Sequence, residues 1–233
     1  MTFDRRQMFF AGTVFAATSM LAGGTREKSA SGPPGKFAPP APALQVPAPP
    51  VPQKVAAAPV IKSVVPVKLL AAAKSALDRQ DRSILRDRIA VVDFAAPSSE
   101  PRLHLVDLLS GKERSLLVTH GSGSDPDHSG WTRRFSNDEG SIASSEGAFA
   151  TLNFYSGKHG RSQRLAGLDA SNSNALSRAI VIHGAWYAEP NVVDATGKLG
   201  RSQGCFAVGD TLIDEVFDHL GSNRLIYAAK LTA

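Results

Sequence analysis

RAIVIHGAWYA, residues 178–188, is the stretch on which the reading of this chain turns. Its nearly continuous apolar run predicts a strand, and the lack of alternation predicts burial on both faces. Within it stands His183, whose imidazole must find a polar partner. That partner is either a main-chain carbonyl in the core or a group at a reaction site.

Working outward, the neighbouring segments read as strands too. Toward the N-terminus lie FATLNFYSG (149–157) and QRLAGLD (163–169), with Gly157-Lys158-His159-Gly160 between them. Before these, RIAVVDFA (88–95), alternating RLHLVDLL (102–109) and ERSLLVTHG (113–121) predict a three-stranded meander. RLIYAAKL (224–231) closes the chain as a further strand. Helical spacing over Val67–Asp87 and over Thr211–Gly221 predicts two helices, the second with Leu212, Val216, Phe217 and Leu220 inward. The fold class is β-rich α+β, with an N-terminal helix and a helix near the C-terminus.

Between the strong strand and the last helix runs a loop-like segment that ends at LGRSQGC, residues 199–205. Cys205 is the only cysteine in 233 residues. A lone thiol is a small buried apolar group, an intermolecular link or a nucleophile. The polar Ser202-Gln203-Gly204 before it is unlike a core strand, and the glycine permits close backbone approach. A nucleophilic thiol needs a base, and His183 is the best candidate. Among the other histidines, His104 lies in an alternating strand and His219 on a helix. His120 and His128 lie in a Ser/Gly/Asp loop. His159 belongs to a tight turn that either lines a cleft or is only a turn. No G-x-G-x-x-G follows a strand, and no histidine shows metal-ligand spacing, so neither cofactor nor metal is expected.

The N-terminus bears on the thiol. Arg5 and Arg6 precede an apolar run from Met8 to Ala22, too short for a comfortable membrane span, and small residues follow. Residues 1–25 read as an export signal, of the general secretory or twin-arginine kind, or as an uncleaved anchor. Residues 26–65 form a Pro/Ala-rich spacer, and eleven of the fifteen prolines lie between Pro33 and Pro66. Residues 66–233 are the folded domain. The expected location is the periplasm, where paired cysteines become disulfides and a single one does not.

Charge divides at the same place. Up to Ser63 seven Lys and Arg face two acids, giving +5, and from Val64 nineteen face nineteen. The folded part therefore lacks the basic footprint of a nucleic-acid binder. The basic leader is suited to a cell-wall or membrane surface. No oligomeric state is read from the sequence.

Four motifs in order resemble the YkuD-type murein L,D-transpeptidase catalytic domain family: Gly157-Lys158-His159-Gly160, Leu165-Ala166-Gly167-Leu168-Asp169, Arg178 to His183, and Gly200-Arg201-Ser202-Gln203-Gly204-Cys205. The resemblance covers roughly residues 135–231. It implies a mixed β-sandwich or barrel, and cysteine acyl transfer on peptidoglycan stem peptides. His183 would deprotonate Cys205, and the N–H groups of Gly204 and Cys205 would hold the oxyanion. The thioester would pass to an amine, or to water as in an L,D-carboxypeptidase. The group that orients the histidine is often a main-chain carbonyl or hydroxyl in such enzymes; Asp169 and Asp194 are further candidates. Commoner members carry a histidine where Gln203 stands and an arginine where Ala207 stands, and their His-to-Cys gap is shorter than the 22 residues here. Arg201 and Arg178 are then the candidates to hold substrate carboxylates, each alternatively a surface salt-bridge partner; Ser202 either bonds substrate or caps the following turn, and Gln203 and His159 complete the candidate substrate-binding set. Two other readings stand beside this one: a sortase-like cysteine transpeptidase, and a non-catalytic wall-binding module with an inert thiol.

Overall fold

A computed structural model describes residues 64–231. The export segment and nearly all of the spacer lie outside the described residues. The spacer's last residue, Val65, is buried at the edge of a core cluster, and the Val64 N–H donates to Glu113 Oε2. Packing therefore starts slightly earlier than residue 66.

Eight strands form one mixed sheet: β1 (Arg88–Asp93), β2 (Leu103–Asp107), β3 (Glu113–Leu116), β4 (Gly147–Gly157), β5 (Gly160–Gly167), β6 (Val181–Gly184), β7 (Phe206–Val208) and β8 (Leu225–Ala229). The spatial order is β3-β2-β1-β8-β4-β5-β6-β7. The pairs β1/β8 and β6/β7 are parallel and the others antiparallel. The predicted meander and the 149–169 hairpin are both present.

Alternation in the central strands explains the layering. Ala90 and Val92 of β1 and Ile226 and Ala228 of β8 face one core cluster, with Phe149 of β4. Ile89, Val91, Leu225, Ala148 and Ala150 face the other. Side chains two apart point the same way, so both faces of the sheet are covered. Helix α1 (Val67–Asp78) covers one face with Leu69, Ala73, Ala76 and Leu77. Helix α3 (Ile213–Leu220) adds Val216, Phe217 and Leu220 to the other.

The sheet's two edges come together. Beyond β3, the Thr119 N–H donates to the Ala207 carbonyl at 3.0 Å, and Gly121 bridges Ser202. This curling gives the sandwich-like, barrel-like form that the resemblance implies.

Three boundaries differ from the sequence reading. Helix α1 stops at Asp78 rather than Asp87, because Asp81 turns the chain by accepting the Ser83 N–H. The predicted strand 178–188 is regular only at Val181–Gly184. Ala179 adopts φ +54°, and Trp186–Ala188 form a single 3-10 turn with Trp186 exposed. Helix α2 (Pro190–Thr196) and the three-residue β7 occupy what reads as loop.

Candidate active site

Parallel pairing of β6 with β7 sets the central geometry. His183 is in register with Ala207, and Cys205 is two residues before Ala207. Two residues along a strand return to the same face. The imidazole and the sulfur therefore leave the same side of the sheet, and both line one cavity of about 360 Å³. The opposite side carries Ile182, Phe206 and Val208 into the core.

His183 is held by a short main-chain contact: its Nδ1 lies 2.7 Å from the Gly184 carbonyl. A carbonyl only accepts, so Nδ1 carries the proton and Nε2 keeps the lone pair. Burial lowers the His183 pKa; the carbonyl works against this, and His159 and Lys158 reinforce it. The group is thus a neutral imidazole near neutral pH. The His159 ring stacks on it with centroids 4.2 Å apart and planes tilted 19°. Asp169 and Asp194 do not orient it: Asp169 accepts the Ala148 N–H at 2.7 Å, and Asp194 lies exposed on α2.

Cys205 is half-buried and not sealed in the core. Its Sγ donates weakly to the Ala179 carbonyl at 3.6 Å. Burial raises its pKa, while the Val181 N–H and the charges of Lys158 and Arg178 pull the other way. The resting pair is therefore thiol and imidazole, not thiolate and imidazolium. Alkylation of Cys205 by iodoacetamide should consequently climb about tenfold per pH unit through pH 7–9, and His183→Asn should slow it at each pH. A mass-spectrometric rate series checks this; a plateau below pH 7 would contradict it.

The turn before Cys205 rests on Ser202. Its hydroxyl donates to the Cys205 carbonyl at 2.7 Å and accepts the Gly204 N–H at 3.2 Å. Ser202 thus caps the turn instead of offering its hydroxyl to a ligand. The Gly204 N–H is occupied in the same way, which removes it from the expected oxyanion pair. The Cys205 N–H has no hydrogen-bond partner among the described residues. Gly204 takes φ +109°, and an added Cβ would lie 2.9 Å from the Ala143 carbonyl oxygen. Glycine is required there for both reasons.

The arginines are differently placed. Arg178 lines the cleft, yet its Nη atoms donate to the Ser136, Ser141 and Ala143 carbonyls and to Ser145 Oγ at 2.5–2.9 Å. It braces the 136–145 segment and does not present a free fork to substrate. Arg201 donates to the Asp125 and Pro126 carbonyls. Gln203 is exposed at the cleft. Ala207 is fully buried against Ala185, Ala188 and Leu199, so an arginine has no room there.

Sequence reasoning missed Lys158, Tyr155 and Tyr187, which also line the cleft. Burial, with Cys205 and Asp210 nearby, pushes the Tyr187 pKa up to about 12, so it stays a phenol. Lys158 stands within the Gly157–Gly160 motif, but nothing in its local sequence marks it as a residue of the cleft.

Behind the cysteine turn lies a buried polar network. The fully buried Arg102 donates to His120 Nδ1 at 2.8 Å, and His120 Nε2 donates to Asp125 Oδ2 at 3.2 Å. The His120 carbonyl accepts the Ser202 N–H, and the Asp125 carbonyl accepts from Arg201. The network therefore anchors the strand of chain that leads to Cys205. Burial, with the Arg102 charge, lowers the His120 pKa to about 4 against the pull of Asp125. The Asp125 pKa falls to about 2: burial opposes this, but N–H and hydroxyl donors from Ser129 and Gly130 prevail. Both folded values lie below their unfolded ones, so stability is full above about pH 6.5 and lost on acidification. His120 alone should cost on the order of 3 kcal/mol between pH 7 and pH 4. Urea unfolding at the two pH values measures it, and His120→Gln should flatten the slope.

Among the described residues no group of three His, Cys, Asp or Glu is arranged to hold a metal ion. No helix there is long and apolar enough to cross a membrane.

Compared with known proteins, residues 62–229 match the profile described as the L,D-transpeptidase catalytic domain. No curated protein matches the chain in sequence. Solved structures with a similar arrangement include an L,D-transpeptidase from Mycobacterium smegmatis, 13% identical over 61% of this chain and 58% of that one, TM-score 0.38. L,D-transpeptidase 3 from Mycobacterium tuberculosis, in complex with a faropenem-derived adduct, is 11% identical over 62% and 60%, TM-score 0.41. One from Stackebrandtia nassauensis is 12% identical over 70% and 66%, TM-score 0.36. The chain spans about three fifths of the length of the first two.

Proposed function

Because the chain belongs to the L,D-transpeptidase catalytic domain family, we propose that it transfers an acyl group from a peptidoglycan tetrapeptide stem through a thioester on Cys205. The observation that carries this reading is the placement of Cys205 and His183 on one face of the β6/β7 pair, lining one cleft, with the Gly184 carbonyl fixing the imidazole tautomer.

The chemistry follows from the neutral pair. His183 Nε2 takes the S–H proton as sulfur attacks the stem carbonyl, which makes the histidine a general base. The unpartnered Cys205 N–H is the oxyanion donor within reach. Collapse breaks the C–N bond, and the imidazolium returns its proton to the departing D-alanine amine. An amine of a second stem then attacks the thioester, losing its proton to His183, and the thiolate leaves and is reprotonated. With water in place of the amine, the same cycle yields a tripeptide. This chemistry belongs outside the cytoplasm, in keeping with the export segment read in residues 1–25.

The test is incubation of the purified full chain with disaccharide-tetrapeptide, analysed by mass spectrometry. Crosslinked dimer supports transpeptidation and tripeptide supports carboxypeptidation. Neither product, with intact folding, would favour a non-catalytic wall-binding module.

A further inference from the structure

The cleft contains three cationic side chains, Lys158, Arg178 and Arg201, and no Asp or Glu lines it. Arg178 and Arg201 donate to main-chain carbonyls of the surrounding loops. Lys158, exposed at the tip of the β4–β5 hairpin, makes no hydrogen bond or ion pair among the described residues. Its charge lowers the pKa of Cys205 and of His183, so its field reaches both reacting groups. An unpaired ammonium in a cleft with no carboxylate of its own draws in an anion.

From this placement we infer that Lys158 holds a carboxylate of the acyl donor beside Cys205, and so determines which donors the cleft accepts. The identity of the donor rests on the acyl-transfer reading above; the anion subsite does not. Two carboxylates flank the scissile bond of a tetrapeptide stem: that on the diaminopimelate side chain and that of the departing D-alanine. Neither Arg178, with its Nη atoms committed, nor the buried Ser202 competes for them.

The subsite can be tested without any stem peptide. Cys205 of the full chain is alkylated in parallel with iodoacetate, which is anionic, and with iodoacetamide, which is neutral. The rate ratio cancels the thiolate fraction and reports attraction of a carboxylate. In the wild type this ratio should exceed that of free cysteine by about fivefold or more at low salt. Lys158→Met should bring it within about twofold of free cysteine, and Lys158→Arg should preserve it. Lys158 is exposed, so neither change disturbs packing. A wild-type ratio equal to that of free cysteine would overturn the inference. So would a ratio lost in Arg201→Gln but kept in Lys158→Met.

Stems amidated at one carboxylate or the other then identify the ligand. The relevant amide should raise KM about tenfold in the wild type and leave KM of Lys158→Met unchanged, a loss of roughly one charge-assisted contact. If neither amide acts on an active wild type, the donor assignment is overturned. If the alkylation ratio behaves as expected but no stem is turned over, the acyl-transfer reading fails and the anion subsite stands.

Discussion

Cys205→Ser should reduce turnover of a tetrapeptide stem by at least about 10⁴-fold, with the melting temperature unchanged. The size of the loss follows from what holds His183. Its Nδ1–H points at the Gly184 carbonyl, not at a carboxylate. No buried anion steadies the imidazolium, so the base is sufficient for a thiol and weak for a hydroxyl, which is far less acidic. A serine at this position still has the Ala179 carbonyl as acceptor and occupies less volume, so folding should be preserved. Product analysis and a thermal melt on the same preparation decide the matter. A serine variant retaining more than a hundredth of wild-type turnover would show that sulfur is not the nucleophile.

Gly121→Ala, a change of one methyl group outside the cleft lining, should cost about 10²-fold in kcat/KM and roughly 1–3 kcal/mol in stability. An added Cβ there would stand 2.3 Å from the Ile142 carbonyl oxygen and 2.7 Å from the Gly204 nitrogen. Both obstacles are backbone, so no side chain can swing away. The strain passes to the turn carrying Cys205, which is already tied to residues 120–122 through Ser202. The expected signature is a larger fall in kcat than rise in KM, together with a lower urea midpoint. Gly111→Ala is the control: an added Cβ there meets nothing within 4 Å, and although its φ of +72° brings some strain, the site should be untouched.

How far the sequence foretold these features depended on the range of the physics involved. β1, β2 and β8 are short apolar runs bounded by turn residues and buried almost throughout, so local sequence alone located them. His183 and Cys205 were legible as a pair from residue chemistry and from the family resemblance. The three-residue β7 was not, because Phe206–Val208 owes its strand form to Ile182 and Thr119 partners far away in sequence. Nor was the Arg102–His120–Asp125 network, whose members share no motif spacing and whose burial depends on the curling of the whole sheet. The raised thiol pKa was equally hidden. Local sequence around Cys205 is polar and small, and it is the fold that removes water from the sulfur.

The four contacts from Arg178 have a consequence for how the cleft moves. A guanidinium tied to three carbonyls and a hydroxyl, all within 136–145, makes one wall a single block, and one of those carbonyls, that of Ala143, lies against Gly204. The facing wall is an exposed hairpin tip; its base is fixed by Arg161, which donates to Asp214 Oδ1 at 3.0 Å and lies over the Phe154 and Phe217 rings, while the His159 ring stacks on His183. What lies beyond that anchor is the short turn from Gly157 to Gly160, so any shift of this turn acts first on the stack of His159 against His183.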